Sequence, residues 1–251
     1  MSSIQHSSNT TPPSGAGGLD SSNTTPPLGA GGLDSSNTTP PLGAGGLDSS
    51  NTTPPSGAGG LAIINYGAGN IQSILFAIER LGYSAVLTNN PDEIQRADKV
   101  IFPGVGEASY AMQKLKESGL DSLIPTLKQP VLGICLGMQL MCNHSEEGNT
   151  EGLGIFDANV IRFSNSVKVP QMGWNQIYNL KSPLFEGINE NEYMYLVHSY
   201  YVPNCSEAIA NTNYDVEYAS ALQKNNFYGT QFHPEKSGDV GEQILGNFLK
   251  L

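Results

Sequence analysis

The chain has 251 residues, with 23 Asp and Glu against 12 Lys and Arg and a formal net charge of −11 at pH 7. The acidic balance and the lack of a basic stripe argue against binding to nucleic acids or anionic membranes. The three cysteines are irregularly spaced, which argues against a disulfide framework or a metal site, and the sequence implies no cofactor. No secretory leader or membrane-length apolar run is visible, so we expect a reduced, cytoplasmic protein.

The N-terminal quarter of the chain repeats a fourteen-residue unit of Ser, Asn, Thr, Pro, Gly and Ala, starting at Ser7, Ser21, Ser35 and Ser49. Stacked copies would bury too little apolar surface to offset the entropy of ordering them. We therefore predict a disordered low-complexity tail over residues 1–61 and one globular domain over residues 62–251. A modified stalk, a tether to a partner and a tolerated duplication at the terminus remain open for the tail.

The first half of the globular part alternates between short apolar runs and amphipathic stretches. Buried strands are predicted at residues 62–66, 84–88, 99–102 and 131–134, and helices at residues 71–81, 110–118 and 137–141. This alternation indicates an α/β fold with a mainly parallel twisted sheet flanked by helices.

The second half has few helices between its predicted strands. Strands are predicted at residues 160–162, 167–169, 175–178, 193–197, 218–222 and 228–232, followed by a final helix over residues 241–251. We expect these strands to extend the parallel sheet with antiparallel members.

A candidate nucleophile stands where a predicted strand meets a helix. Cys135 follows the apolar run 131–134 and is flanked two residues away on each side by Gly133 and Gly137. Such a turn resembles a nucleophile elbow, and the following helix N-terminus favours the thiolate and supplies N–H groups for an oxyanion. The alternative is a buried structural cysteine, which is the commoner role of a free thiol.

A candidate base and its orienting group follow the last predicted strand. His233 would lie at the same sheet edge as the nucleophile, and Glu235 is joined to it through the stiff Pro234. The alternative is a strand-ending histidine with a surface glutamate. Among the other histidines, His198 at the end of another predicted strand is the main rival for the role of base. The alternative for His198 is a structural role near the pocket.

Two of these segments carry a family resemblance. Residues 133–139 (Gly-Ile-Cys-Leu-Gly-Met-Gln) and 233–237 (His-Pro-Glu-Lys-Ser) resemble class I glutamine amidotransferases, and within them the glutaminase subunits of imidazole glycerol phosphate synthases from histidine biosynthesis. Further matching segments are residues 65–70, 103–106, 170–175 and 197–201. The resemblance runs from about Ala62 to the C-terminus, and the repeats have no counterpart in it.

The resemblance implies an acyl-transfer mechanism on glutamine. Cys135 would attack the side-chain amide to form a glutamyl thioester, His233 would give a proton to the leaving ammonia, and Glu235 would orient His233. Backbone donors for the oxyanion would come from Gly104, Val105 and Gly106. The amino-acid head of glutamine would be held by Gln139, Glu147, Ser199 and Tyr200.

The resemblance also implies a partner, because ammonia in this family passes to a cyclase subunit with a (β/α)₈ barrel. Asn70, Trp174 and Lys236 match interface positions, although they could equally be a helix cap, a core residue and a solvated charge. A paralogue that supplies ammonia to a synthase modifying surface-polysaccharide sugars, a non-catalytic partner-binding subunit and another cysteine hydrolase remain alternatives.

Overall fold

The computed structural model describes residues 60–67 and 71–251. The predicted tail therefore lies outside the described residues except for Gly60 and Leu61, and Leu61 already belongs to the first strand. Asn70, predicted to face a partner, also lies outside them. Within the described ranges, no helix is long and apolar enough to cross a membrane, and no group of three or more His, Cys, Asp or Glu side chains is placed to hold a metal ion.

The first half of the described chain alternates between strands and helices. Its elements are β1 Leu61–Ile64, α1 Ile71–Arg80, β2 Ala85–Thr88, α2 Pro91–Arg96, β3 Lys99–Gly104, α3 Ala108–Ser118, α4 Leu120–Leu123, β4 Val131–Cys135 and α5 Leu136–Leu140. A short 3-10 turn at Ile124–Thr126 follows α4.

The second half consists mainly of strands. Its elements are β5 His144–Ser145, β6 Thr150–Glu151, β7 Asn159–Arg162, β8 Gln171–Ile177, β9 Glu192–His198, β10 Tyr200–Pro203, β11 Ala208–Tyr214, β12 Val216–Lys224, β13 Phe227–Thr230 and α6 Gly238–Lys250. Single 3-10 turns lie at Glu147–Asn149, Pro183–Phe185 and Pro234–Lys236.

The central sheet of the described residues runs in the order β2-β1-β3-β4-β13-β12-β10-β7-β5-β6, and β11 pairs with β12. The block β2-β1-β3-β4-β13 is parallel throughout, whereas β12, β10 and β11 pair antiparallel. β8 and β9 form a separate antiparallel ribbon. This topology confirms the predicted α/β fold with a mainly parallel sheet and added antiparallel strands.

Both faces of β1, β3, β4 and β13 are buried, which explains the apolar runs of β1, β3 and β4, whereas Val86 and Leu87 of the edge strand β2 are exposed. In β1, Ala62 and Ile64 pack into the core on one face, with α3 and α5. Leu61 and Ile63 pack into the core on the other face, with α1 and α6. Successive side chains of a strand point to opposite faces, so every position of a doubly covered strand must be apolar.

Several regions differ from the sequence prediction. Residues 167–169 do not form a strand, although Val167 and Val169 alternate with Lys168. That stretch lies in a partly exposed loop, where Tyr214 donates a hydrogen bond to the Lys168 carbonyl. Residues 167–169 therefore have no adjacent strand with which to pair. The prediction also missed α2, α4, β5, β6, β10 and β11. The limits of these strands depend on their partners in space, whereas α2 carries a local signal, with Asn90 as N-cap and Pro91 in the first turn.

Candidate active site

The predicted elbow is present at the junction of β4 and α5. Cys135 ends β4 with φ 53° and ψ −110°, a conformation that is unusual for a residue with a side chain. A Cβ at Gly137 would collide with the Phe102 carbonyl oxygen, and one at Gly133 would collide with the Met138 backbone nitrogen. Glycine is therefore required on both sides of Cys135 so that the helix can pack against the strands. Backbone strain concentrated at one reactive side chain is typical of a functional site.

His233 reaches the same edge of the sheet through β13. This strand pairs parallel with β4, in a register that places Thr230 opposite Ile134. The two strands therefore end together. His233 Nδ1 lies 2.8 Å from Glu235 Oε1, and both side chains are buried. His233 Nε2 has no hydrogen-bond partner among the described protein atoms, so this nitrogen is free for the reacting groups.

The protonation of His233 depends on its charged neighbours. Burial lowers the pKa of His233, but the Cys135 thiolate and the Glu235 carboxylate outweigh burial and raise the pKa above its usual value. An imidazolium is therefore stabilised beside Cys135. A proton on His233 is what the acid–base partner of a nucleophilic cysteine requires.

His198, the rival for the base, is held differently. Its Nδ1 lies 2.8 Å from the Tyr200 carbonyl oxygen and its Nε2 lies 3.3 Å from the Tyr218 hydroxyl. Burial lowers the pKa of His198 to about 4. Both ring nitrogens are engaged and the ring is neutral at pH 7, which favours His233 over His198 as the candidate base.

A cavity of about 310 Å³ brings many of the predicted site residues together. Its lining consists of Val105, Gly106, Cys135, Leu136, Gln139, Glu147, Pro170, Val197, His198, Ser199, Tyr200 and His233. Gly104 lies beside the cavity, paired with Cys135 across β3 and β4. Glu235 is buried behind His233.

Of the predicted interface residues, Trp174 and Lys236 are described, and neither lines this cavity. Trp174 is exposed, and its ring meets the Tyr195 ring edge-on at 6.0 Å between centroids. The Lys236 ammonium lies 5.9 Å from the centroid of the same Tyr195 ring. Trp174 is therefore not a core residue, which removes that alternative. Tyr195 is the residue that connects the two predicted positions.

Two polar residues predicted to bind the substrate are already tied into the protein. Gln139 Nε2 donates to the Tyr200 carbonyl at 2.9 Å and to Gln231 Oε1 at 2.8 Å. Glu147 Oε2 accepts from the Ala108 amide at 3.0 Å. Burial raises the pKa of Glu147, partly opposed by that amide. A cation in the cavity would favour its ionised form.

The sequence analysis gave no role to Gln231, which contacts the nucleophile. Its Nε2 lies 3.7 Å from Cys135 Sγ, and its Oε1 accepts from Gln139. Gln231 and His233 are two residues apart at a strand end. The period-two spacing of a strand could have predicted that both face the thiol.

The comparison of this chain with known protein families agrees with this geometry. The class-I glutamine amidotransferase family matches residues 62–251. The chain belongs to the class-I glutamine amidotransferase family.

Relatives within the class-I family are named imidazole glycerol phosphate synthase subunit HisH. The protein from Bacteroides fragilis (strain YCH46) is 58% identical over 193 residues, covering 76% of this chain and 98% of that protein. The protein from Bacteroides thetaiotaomicron is 56% identical with the same coverage. The one from Yersinia pestis is 45% identical over 192 residues, covering 75% and 98%. These identities place the chain among the HisH relatives of the family.

Solved structures of amidotransferases share the fold. One described as a glutamine amidotransferase superposes with a TM-score of 0.61 at 16% identity, covering 76% of this chain and 98% of that one. PurLQS from Thermotoga maritima superposes with a TM-score of 0.60 at 14% identity, with the same coverage of both chains. At such low identity these likenesses support the fold alone.

Proposed function

We infer that this chain is the glutaminase subunit of imidazole glycerol phosphate synthase. It hydrolyses L-glutamine to glutamate and ammonia, and a cyclase subunit uses the ammonia to make imidazole glycerol phosphate and an aminoimidazole carboxamide ribonucleotide. The observation that carries this inference is the strained Cys135 beside the buried His233–Glu235 pair, in a chain that is 58% identical to a HisH subunit.

Acylation follows from the proposed roles of the three residues. The Cys135 thiolate attacks the carbon of the glutamine side-chain amide, forming a C–S bond and moving the carbonyl electrons onto oxygen. Backbone groups of Gly104, Val105 and Gly106 are proposed to stabilise that oxyanion. The His233 imidazolium then protonates the amide nitrogen, the C–N bond breaks, and ammonia leaves a glutamyl thioester.

Deacylation uses the same residues in the reverse sense. Neutral His233 takes a proton from water as the oxygen attacks the thioester carbon. The C–S bond breaks, which restores the Cys135 thiolate with His233 protonated, and the new γ-carboxyl group loses its remaining proton to solvent as glutamate forms. Glu235 keeps one ring nitrogen of His233 hydrogen-bonded throughout, so the other always faces the reaction.

The proposed glutamine-binding residues suit an amino-acid head. Both hydrogens of the Gln139 amide are given to protein acceptors, so its carbonyl oxygen is what Gln139 can offer to an ammonium. The half-buried Glu147 carboxylate supplies the compensating charge. Backbone N–H groups near Ser199 and Tyr200 are proposed to take the α-carboxylate.

The partner surface is proposed on one face of the β8–β9 ribbon. The register pairs Met172 with Val197 and Trp174 with Tyr195, so these four side chains share a face. Met172 is 64% exposed and Trp174 56% exposed, whereas Val197 lines the active-site cavity. An exposed apolar face continuous with a catalytic cavity is suited to a partner that receives the product.

We propose that the partner is a cyclase with a (β/α)₈ barrel, and that Trp174, Lys236 and Asn70 contribute to its docking. A dry junction would keep ammonia unprotonated on its way to the second site. We further propose that the complex works in the cytoplasm. We assign the glutaminase activity to residues 62–251, since all the proposed site residues lie there.

The alternatives fit the observations less well. A non-catalytic subunit would have no need for a buried His–Glu pair next to a strained cysteine. A paralogue that feeds a sugar-modifying synthase would use the same triad, but the relatives reported above favour the histidine pathway.

The testing experiment measures glutamate release from glutamine by the full chain. It is run with and without a histidine-pathway cyclase subunit and its ribonucleotide substrate. We expect strong stimulation by the partner, and a loss of at least about 10³-fold in Cys135→Ala. Cys205→Ala is the matched control, because Cys205 does not line the cavity, and it should retain the wild-type rate.

Each other outcome contradicts a separate part of the proposal. Activity that depends on Cys135 but ignores the cyclase would contradict the partner assignment. Activity that survives Cys135→Ala would contradict the nucleophile. A folded, partner-bound wild-type chain without glutaminase activity would contradict the function itself.

A further inference from the structure

Tyr66 is a buried residue just beyond β1 to which neither the sequence analysis nor the mechanism above gives a role. Its side chain is 5% exposed, and its ring packs against the Phe102 ring at 5.6 Å between centroids. Its hydroxyl donates a hydrogen bond of 2.9 Å to the Pro103 carbonyl oxygen, 37 residues away in sequence. Tyr66 therefore links the end of β1 to the end of β3.

The accepting carbonyl belongs to a peptide group that matters for the reaction. The Pro103 carbonyl and the Gly104 N–H share one planar peptide, so holding the carbonyl also fixes the direction of that N–H. Gly104 pairs with Cys135, and the next two residues, Val105 and Gly106, line the cavity.

The other side of this segment is held by packing. A Cβ at Gly104 would collide with the Gly137 backbone nitrogen and with the Leu136 Cβ, so Gly104 lies directly against the start of α5. The segment is thus held between the helix that follows the nucleophile and the Tyr66 hydroxyl. Removing the hydroxyl would free one side and leave a buried carbonyl without its donor.

We propose that Tyr66 is a positioning residue that holds the oxyanion-binding segment Pro103–Gly106 in place through the Pro103 carbonyl. The proposal rests on the glutaminase function inferred above. Burial raises the pKa of Tyr66, and the nearby Cys135 thiolate raises it further. The hydroxyl therefore keeps its proton at every pH at which the enzyme works.

The test compares Tyr66→Phe with the wild type in the cyclase complex. The substitution keeps the ring that packs on Phe102 and removes only the hydroxyl. Because oxyanion stabilisation acts in the transition state, we expect kcat for glutamine to fall about fivefold or more, with KM within about twofold.

A second reaction separates the oxyanion segment from the thiol. Iodoacetamide alkylates Cys135 by displacement at a saturated carbon, forming a C–S bond and releasing iodide without any oxyanion. We expect the rate of inactivation by iodoacetamide to stay within about twofold of wild type in Tyr66→Phe.

Tyr228→Phe is the matched control. Tyr228 is also buried and its hydroxyl accepts a hydrogen bond from Gln223 Nε2, but it packs in the core on the other face of the sheet. We expect its kcat and its alkylation rate to match the wild type. Co-elution of each variant with the cyclase in size-exclusion chromatography, together with a circular dichroism spectrum like that of the wild type, shows that each is folded and docked.

Four outcomes would overturn the proposal. The first three are an unchanged kcat in Tyr66→Phe, an equal loss of kcat in Tyr228→Phe, and a slowed alkylation of Tyr66→Phe, which would mean that Tyr66 acts on the thiol. The fourth is a Tyr66→Phe variant that no longer co-elutes with the cyclase or loses its native circular dichroism spectrum, which would assign Tyr66 to the fold. Failure of the glutaminase function is distinguishable, because the wild-type complex would then release no glutamate.

Discussion

The end of β9 and the segment after β13 each place a buried histidine on the same cavity, yet the two residues are electrostatically opposite. His198 and His233 are both below 10% exposed and both line the cavity. The pKa of His198 is lowered to about 4, whereas the pKa of His233 is raised. Burial alone therefore does not decide what a histidine does here.

The difference comes from the charges that face each ring. His198 meets the Tyr200 carbonyl and the Tyr218 hydroxyl, which are neutral, so burial prevails. His233 meets the Glu235 carboxylate and the Cys135 thiol, which stabilise the imidazolium. The neighbours of each ring therefore give the two buried histidines opposite pKa shifts, which suits His233 to the proposed acid–base role and His198 to a structural one.

Replacing each histidine separately gives the largest expected contrast. We expect His233→Asn to lower kcat for glutaminase about 10³-fold, because acid–base transfer in both half-reactions is lost. His198→Asn should cost less than about tenfold, since asparagine can still hydrogen-bond but His198 carries no proton in the reaction. Steady-state glutamate release in the cyclase complex measures kcat of both variants. Equal losses of kcat would contradict the different roles proposed for His233 and His198.

The source of the raised pKa of His233 can be tested by replacing Glu235. Glu235→Gln keeps an oxygen that can accept from His233 Nδ1 but removes the charge. We expect kcat to fall about 10²-fold. The pKa of His233 should also fall, so the imidazolium is lost at lower pH and the alkaline limb of the pH–rate profile moves to lower pH. An alkaline limb that stays in place would show that Glu235 does not set the charge of His233.

The smallest expected effect concerns stability and is specific to His198. The pKa of His198 is about 4 in the folded protein against an ordinary histidine value of 6.5, so the unfolded chain binds this proton more readily. The contribution of neutral His198 to the free energy of unfolding is therefore present above pH 6.5 and is lost as the pH falls toward 4. Between pH 7 and pH 4.5 the loss is about 2 kcal/mol.

His198→Gln should remove this component of the pH dependence. The free energy of unfolding, measured by urea denaturation at the two pH values, should fall by about 2 kcal/mol less in the variant than in the wild type. An identical fall in both proteins would mean that His198 is not the group responsible.

The candidate site was predictable where chemistry and local spacing coincide. The glycines around Cys135 and the His-Pro-Glu segment are local patterns, and the structure brings Cys135 and His233 onto one cavity. The doubly buried strands were equally visible as apolar runs. The prediction failed for residues 167–169, where a local alternation has no neighbouring strand, and for β10 and β11, which are defined by their pairing with β7 and β12.

By itself, the sequence determined the α/β alternation, the strand-to-helix turn at Cys135 and the family resemblance, because each depends on residues near one another in the chain. Only the tertiary structure decided which groups face each of the two buried histidine rings, since Tyr218 and Cys135 reach those rings from distant parts of the chain. It also decided that Tyr66 meets Pro103 and that Gln231 meets Cys135. Those contacts join residues 37 and 96 positions apart, a distance over which no local pattern carries information.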